Sequence, residues 1–462
     1  MKARPMKSFL RRAATCGLAA WTVLQPGMLA AAERPSLPLV RDAEIESLMR
    51  IYTRSIFRAA GLKEGAVKVY LVNQTGINAF VAGGQRIFIN TGLLAQAKVP
   101  NEVIGVFAHE TGHIAGGHLA RMGQQMDKLS SQAIIGMLIG AAAVVGGAAT
   151  GQSGGTQAGM GVLFGSGGLA QRSLLAYARA QESAADQAAV KLLNGTGQSG
   201  RGMLELFQKL ASQTMGSLKM VNPYVLTHPM PLERIRNLES AVKQSPYYGK
   251  ADSPDLVLRH KLMQAKLAGF LNAPQTVYQQ YPKSDRGLPA RYARAIAAFR
   301  MGDLKNALPE INSLIESQPN YAYFWELKGQ ALLESGRGRD AIVPLQKASK
   351  LSNGNGLIDV MLAQALLEEG GKAGAQAALK VLKSAQRTES DMPRLYAEMA
   401  IAHARLNSIP MADLATAEAA LLRGDKELAG KKAKSAAAKL KHGSPEWLRA
   451  NDILNFADQK KS

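Results

Sequence analysis

Apolar positions along this chain fall into runs of three kinds. Val103-Ile104-Gly105-Val106-Phe107-Ala108 is continuous, holds no Pro and leads straight into His109-Glu110-Thr111-Gly112-His113, which predicts a helix carrying the polar string. Ile77-Asn78-Ala79-Phe80-Val81 and Ile87-Phe88-Ile89-Asn90 are apolar, β-branched stretches split by Gly83-Gly84, the pattern of two strands joined by a turn. An open edge on one of them would take an extended peptide by strand addition; a purely structural hairpin has the same pattern. Around Glu182-Ser183-Ala184-Ala185-Asp186 the chain is Ala- and Leu-rich at helical spacing, so the two acids share a face four residues apart.

From about residue 254 the pattern becomes helical, Ala-rich and repetitive. Gly302, Gly336 and Gly370 recur every 34 residues, as do Ala307, Ala341 and Ala375, and the small residues Ala295, Gly329 and Ala363. That is the tetratricopeptide period, in which small residues let the two helices of a repeat approach closely. Trp325, Gly329, Ala341, Leu345 and Ala348, with Pro319 ending the repeat before, fit it well. Repeats fall at 288–321, 322–355 and 356–389, after a degenerate one at 254–287. Beyond residue 390 the phase slips, and Ala417, Gly424, Ala429 and Ala436 restart it, with room for one extra helix between. The expected architecture is therefore mainly α with a small β-sheet: an α+β domain over 33–250, then an all-α solenoid over 251–462 whose concave surface suits a protein chain.

The start of the chain predicts export. Lys2, Arg4, Lys7, Arg11 and Arg12 form a basic region, Ala13 to Leu24 is apolar, and Ala30-Ala31-Ala32 offers a cleavage site, so 1–32 reads as a signal peptide. Arg11-Arg12 raises a twin-arginine route, but the residues that follow depart from the fuller consensus. Cys16 is the sole cysteine, which excludes a disulfide framework from the mature protein. Of the net charge of +21, the leader supplies about +5, leaving about +16. Lys431, Lys432, Lys434, Lys439 and Lys441 concentrate part of it, as a solvated face or one drawn to an anionic membrane or acidic partner. Nucleic acid is not an expected partner of an exported chain. The uncharged stretch 134–151 is long enough to span a membrane, yet its glycines and scarcity of large aliphatics favour a segment packed over or beside the active site.

The chemistry concentrates in His109-Glu110-Thr111-Gly112-His113. Residues i and i+4 of a helix share a face, so both imidazoles can reach one metal while Glu110 stands beside them as general base. Such a zinc site needs a third protein ligand. Glu182 is the candidate, with Asp186 orienting a ligand histidine; read alone, the pair fits two solvated acids better. His118 falls one residue short of the elongated motif's last histidine, which points to packing or to support of a ligand.

These strings, with Thr227-His228-Pro229-Met230-Pro231-Leu232-Glu233-Arg234, resemble the gluzincin zinc metallopeptidases of the HtpX and CAAX-prenyl-protease group over about residues 40 to 245. The likeness is greatest to the periplasmic BepA type, which ends in a tetratricopeptide array. The resemblance implies a zincin-like peptidase domain with one zinc per chain, Glu182 as third ligand, His228 near the metal and Arg234 supporting the site. It also implies periplasmic work on misassembled outer-membrane proteins, with the barrel assembly machinery among the partners. Two functions stay open: a zinc endopeptidase fed by its repeats, or a chaperone or assembly scaffold whose proteolysis is latent. His228 can either close the metal's open position or stabilise the oxyanion. A third, an integral membrane protease, has only the stretch 134–151 in its favour.

Overall fold

The computed structural model describes residues 37–63, 65–127, 169–216 and 223–458. The predicted signal peptide at 1–32, with Cys16, and the apolar stretch 134–151 lie outside the described residues. No described helix is long and apolar enough to cross a membrane.

Strands β1 (Leu39–Val40), β2 (Lys68–Val72), β3 (Ala79–Ala82) and β4 (Arg86–Asn90) form one mixed sheet in the order β1-β2-β4-β3. The expected hairpin is β3–β4, turning at Gly83 and Gly84, both at positive φ. Phe88 lies opposite Tyr70 on β2 and Phe80 on β3 and stacks on each at 5.2 Å. Cross-strand ring pairs of this kind fix register, and they send Ile87 and Ile89 to the other face, fully buried. Strand β3 is an edge of the sheet and packs beside the helix that carries His109.

Around the sheet lie α1 (Ala43–Ala59), α2 (Thr91–Gln96), α3 (Pro100–Ala115), α4 (His118–Asp127), α5 (Leu169–Gly195), α6 (Arg201–Gly216), α7 (Pro223–Thr227) and α8 (Leu232–Lys243). Helix α3 starts on a proline, whose missing N–H costs nothing in the first turn, and is buried from Pro100 to Gly112. Missing side chains let its neighbours close on it. A Cβ on Gly112 would stand 2.8 Å from the Ala185 carbonyl oxygen of α5, and one on Gly202 of α6 would stand 2.7 Å from the Asn101 carbonyl carbon. A Cβ on Gly105 would overlap the Met203 side chain.

The second half stacks α9 (Pro254–Leu271), α10 (Pro274–Gln280), α11 (Leu288–Arg300), α12 (Leu304–Ser317), α13 (Ala322–Glu334), α14 (Gly338–Leu351), α15 (Gly356–Glu369), α16 (Gly371–Ala385), α17 (Pro393–Arg405), α18 (Ile409–Leu422), α19 (Lys426–Ala437) and α20 (Pro445–Asp458). Gly302, Gly336 and Gly370 turn α11 into α12, α13 into α14 and α15 into α16 at φ 75°, 73° and 89°, a conformation in which a side chain is strained. Ala307, Ala341 and Ala375 lie fully buried in the second helix of each pair, and a Cβ on Gly329 would overlap Leu345. The 34-residue interval is thus the spacing of helix pairs. Beyond α16 the loop 386–392 is three residues longer than the corresponding 352–355, and Gly424, at φ 81°, turns α18 into α19 54 residues after Gly370, so the interval exceeds 34 by 20 residues. One helix, α17, fills the gap before Ala417. Of the C-terminal lysines, Lys431, Lys434, Lys439 and Lys441 are exposed, while Lys432 donates to Asp413 at 2.7 Å.

Helix α9 joins the halves. Its Met263 and Leu267 share one apolar core with Phe107 and Leu193. Its His260 lies between the Tyr52 hydroxyl at 2.8 Å and the Ala97 carbonyl at 3.0 Å. Beside it, the buried Lys266 ammonium meets Asp42 at 2.8 Å, Glu326 at 3.2 Å and Glu44 at 3.4 Å. Glu44 accepts from Tyr292 and Tyr321 hydroxyls at 2.8 and 2.6 Å. Arg41 reaches Glu389, in the lengthened loop, at 2.6 Å.

Three carboxylates around one ammonium leave negative charge in excess. Burial pushes the Glu326 carboxyl up to about 7 against the pull of Lys266. Burial opposes the Lys266 charge, yet Asp42, Glu326 and Glu44 hold it well above the ordinary lysine value. Lys266→Met strands these acids without a cation and is expected to cost about 3–5 kcal/mol of stability in chemical denaturation. Glu326 retains a proton that the unfolded chain, near 4.5, has released, so its contribution is complete below about pH 4.5 and is lost as pH rises through about 7. Glu326→Gln is expected to lack that downward slope; an unchanged pH profile of stability in this variant would contradict the assignment.

Candidate metal centre

Helix α3 sets His109 and His113 on one face, their rings edge to face at 4.7 Å and their Nε2 atoms 3.1 Å apart. Because α5 closes on Gly112, Glu182 and Asp186 are delivered to the same place, both buried rather than solvated. The turn after α7 brings His228, whose backbone N–H donates to the Tyr224 carbonyl at 2.8 Å.

His109 Nε2, His113 Nε2, Glu182 and His228 Nδ1 converge. Glu182 lies 3.4 Å from His109, 3.3 Å from His113 and 3.0 Å from His228, and His228 Nδ1 lies 3.4 Å from His109 Nε2. Four donors on a tetrahedral ion with bonds of about 2.0–2.1 Å would stand about 3.3–3.4 Å apart, so the spacing suits a small divalent cation. All four donor atoms lie within 4.8 Å of one another.

A layer of polar contacts holds these donors. Asp186 Oδ1 stands 2.9 Å from His109 Nδ1, the ring nitrogen facing away from the cluster. Arg234, buried, donates to Asp186 through Nε at 2.6 Å and Nη2 at 2.9 Å, reaches Glu182 through Nη1 at 2.9 Å, and donates to the Pro229 carbonyl at 2.8 Å. Burial works against each ion here, and the partners prevail. Glu182 is held far below the usual carboxylate range by hydrogen bonds with His109, His113 and His228, and Asp186 is held low by Arg234 and His109. Burial disfavours a charged His109, but Asp186 and Glu182 carry it up to about 9. His113 is lowered, first by burial.

Glu110 stands apart from this web. Both its oxygens are buried with no hydrogen-bond partner among the described residues, and His228 Nε2 lies 3.5 Å from one of them. A buried carboxylate without partners asks for a missing one, such as a water or a substrate proton. His118 lies outside the convergent set, its Nδ1 3.0 Å from His113 Nδ1.

The structure adds residues that sequence reasoning passed over. Tyr224 stacks on His228 at 4.5 Å, and Phe207 of α6 meets the His109 ring edge-on at 5.6 Å while lying under Arg234. Tyr224 was within reach, since it precedes His228 by one helical turn in Pro223-Tyr224-Val225-Leu226-Thr227-His228. Phe207 carried no local signal.

Residues 42–242 match the sequence profile of peptidase family M48. The β-barrel assembly-enhancing protease of Yersinia pestis is 25% identical over 356 residues, covering 76% of this chain and 70% of that protein. Its namesake in Escherichia coli (strain K12) is 24% identical over 423 residues, 90% of this chain and 83% of that one. A putative β-barrel assembly-enhancing protease of Vibrio cholerae is 23% identical over 297 residues, 63% and 59% of the two chains. An HExxH helix, a buried acid from α5 and a histidine from the turn after α7 meet at one point inside the segment that matches peptidase family M48, and the chain is a metallopeptidase.

Proposed function

We propose that the chain is a periplasmic zinc endopeptidase that degrades misassembled outer-membrane and other envelope proteins and aids their assembly. The observation that carries this is the convergence of His109, His113 and Glu182 beside the unpartnered carboxylate of Glu110. One zinc ion held by those three would polarise the scissile carbonyl and acidify the attacking water. Glu110 takes the water's proton and passes it to the leaving amine. Asp186 aims His109, and Arg234 fixes both α5 acids. The edge strand β3, which pairs with β4 alone among the described residues and packs beside α3, supports binding of the substrate as an added strand.

The proposed division of labour assigns export to 1–32, catalysis to 33–250 and binding of substrates or partners to a tetratricopeptide array over 251–462, with α9 shared. The names of the relatives support the barrel assembly machinery as partner, and the exposed C-terminal lysines support peripheral contact with an anionic membrane. Nucleic acid has no part in this reading.

Glu110→Gln is expected to lower cleavage of an unfolded protein substrate by about 10²–10⁴-fold while leaving the metal content unchanged. Undiminished cleavage by this variant would defeat the mechanism.

One observation favours the second reading, an assembly scaffold with gated proteolysis. His228 Nδ1 is among the four convergent donors while its Nε2 faces Glu110 at 3.5 Å. In that pose the ring fills the position a substrate needs and covers the base. His228→Ala is then expected to raise proteolysis of an unfolded substrate, whereas a role in stabilising the oxyanion predicts a fall of about 10²–10³-fold. A clear decrease would sink the gate.

A further inference from the structure

His118 is held in an unusual place by the two residues before it. Helix α3 ends at Ala115, and Gly117, at φ +60°, reverses the chain into α4 with its N–H donating to the Ile114 carbonyl at 3.0 Å. Gly116 has no side chain, and the space a Cβ would fill is taken by His118 Nε2. The buried His118 ring therefore folds back against His113, edge to face at 4.9 Å, with the two Nδ1 atoms 3.0 Å apart.

Two facing Nδ1 atoms form a hydrogen bond only if one carries a proton and the other a lone pair. His113 Nε2 points into the convergent donors, where a metal ligand needs its lone pair. His113 must then be protonated on Nδ1 and donate, and His118 must accept on Nδ1 and keep its own proton on Nε2. We propose that His118 is a positioning residue that sets the tautomer and ring angle of His113, as Asp186 does for His109. The proposal rests on the zinc reading above. It makes the two imidazoles unequal: His109 is backed by a carboxylate and His113 by a neutral ring.

Two substitutions in the full-length protein separate an acceptor from mere packing. Phe at position 118 keeps a ring and loses the lone pair, while Asn offers Oδ1 at the same number of bonds from Cβ as Nδ1. Zinc release into a chromogenic chelator is expected to be about 10–100-fold faster in His118→Phe and restored to near the wild-type rate in His118→Asn. The thermal midpoint of the zinc-free protein should be alike in all three, with the difference confined to the increment that zinc adds. Release from His118→Phe at the wild-type rate, or equal loss in both variants, would overturn the assignment. A wild-type protein that takes up no zinc would instead overturn the metal reading itself.

Discussion

The site depends on how closely α5 can approach α3. Glu182 and Asp186 come from a helix far along the chain, and they reach His109 because the Ala185 carbonyl presses into the space where Gly112 lacks a side chain. Packed helices stand about 8–10 Å apart, the distance set by side chains at the contact. A methyl group at Gly112 would push the α5 backbone outward, and the acids with it. The glycine in His109-Glu110-Thr111-Gly112-His113 is therefore a spacer between the two halves of the donor set. Gly105 and Gly202 play the same part for α6, which brings Phe207 under Arg234 and against His109.

Once α5 is in place, electrostatics decides what the cluster wants. Arg234 satisfies the α5 acids from one side and keeps them ionised, while their other lone pairs meet three imidazoles. Asp186 and Glu182 carry His109 up to about 9 against burial, which favours a proton on its ring. A divalent ion would displace that proton, so metal uptake and proton release are coupled. Glu110 lies beside the cluster, 3.5 Å from His228 Nε2, with no hydrogen-bond partner among the described residues, which suits the proton-accepting role proposed for it.

The helix pair His109/His113 was legible because i and i+4 spacing is local, and the turn glycines because positive φ recurs with each helix pair. The β3–β4 hairpin was legible from its Gly-Gly turn. The burial of Glu182 and Asp186 was not: spacing alone fits solvated acids, and the close contact at Gly112 is a property of two helices. The slip after residue 390 was visible as one extra helix, but the loop three residues longer that places Glu389 against Arg41 was not. Least legible was the junction. Asp42 caps α1 by accepting from Ile45 N–H at 2.8 Å, and Glu44 lies in its first turn. Those local roles account for both residues, so nothing in the sequence announces their pairing with Lys266.

The central claim is that Glu182, brought in by α5, completes the metal site begun by the two histidines on α3. Elemental analysis of purified wild type and of Glu182→Gln tests it most directly. The account predicts one zinc per wild-type chain and a large loss of bound zinc in the variant, since a neutral amide is a poor replacement for the carboxylate. Full zinc occupancy without the Glu182 carboxylate would contradict it.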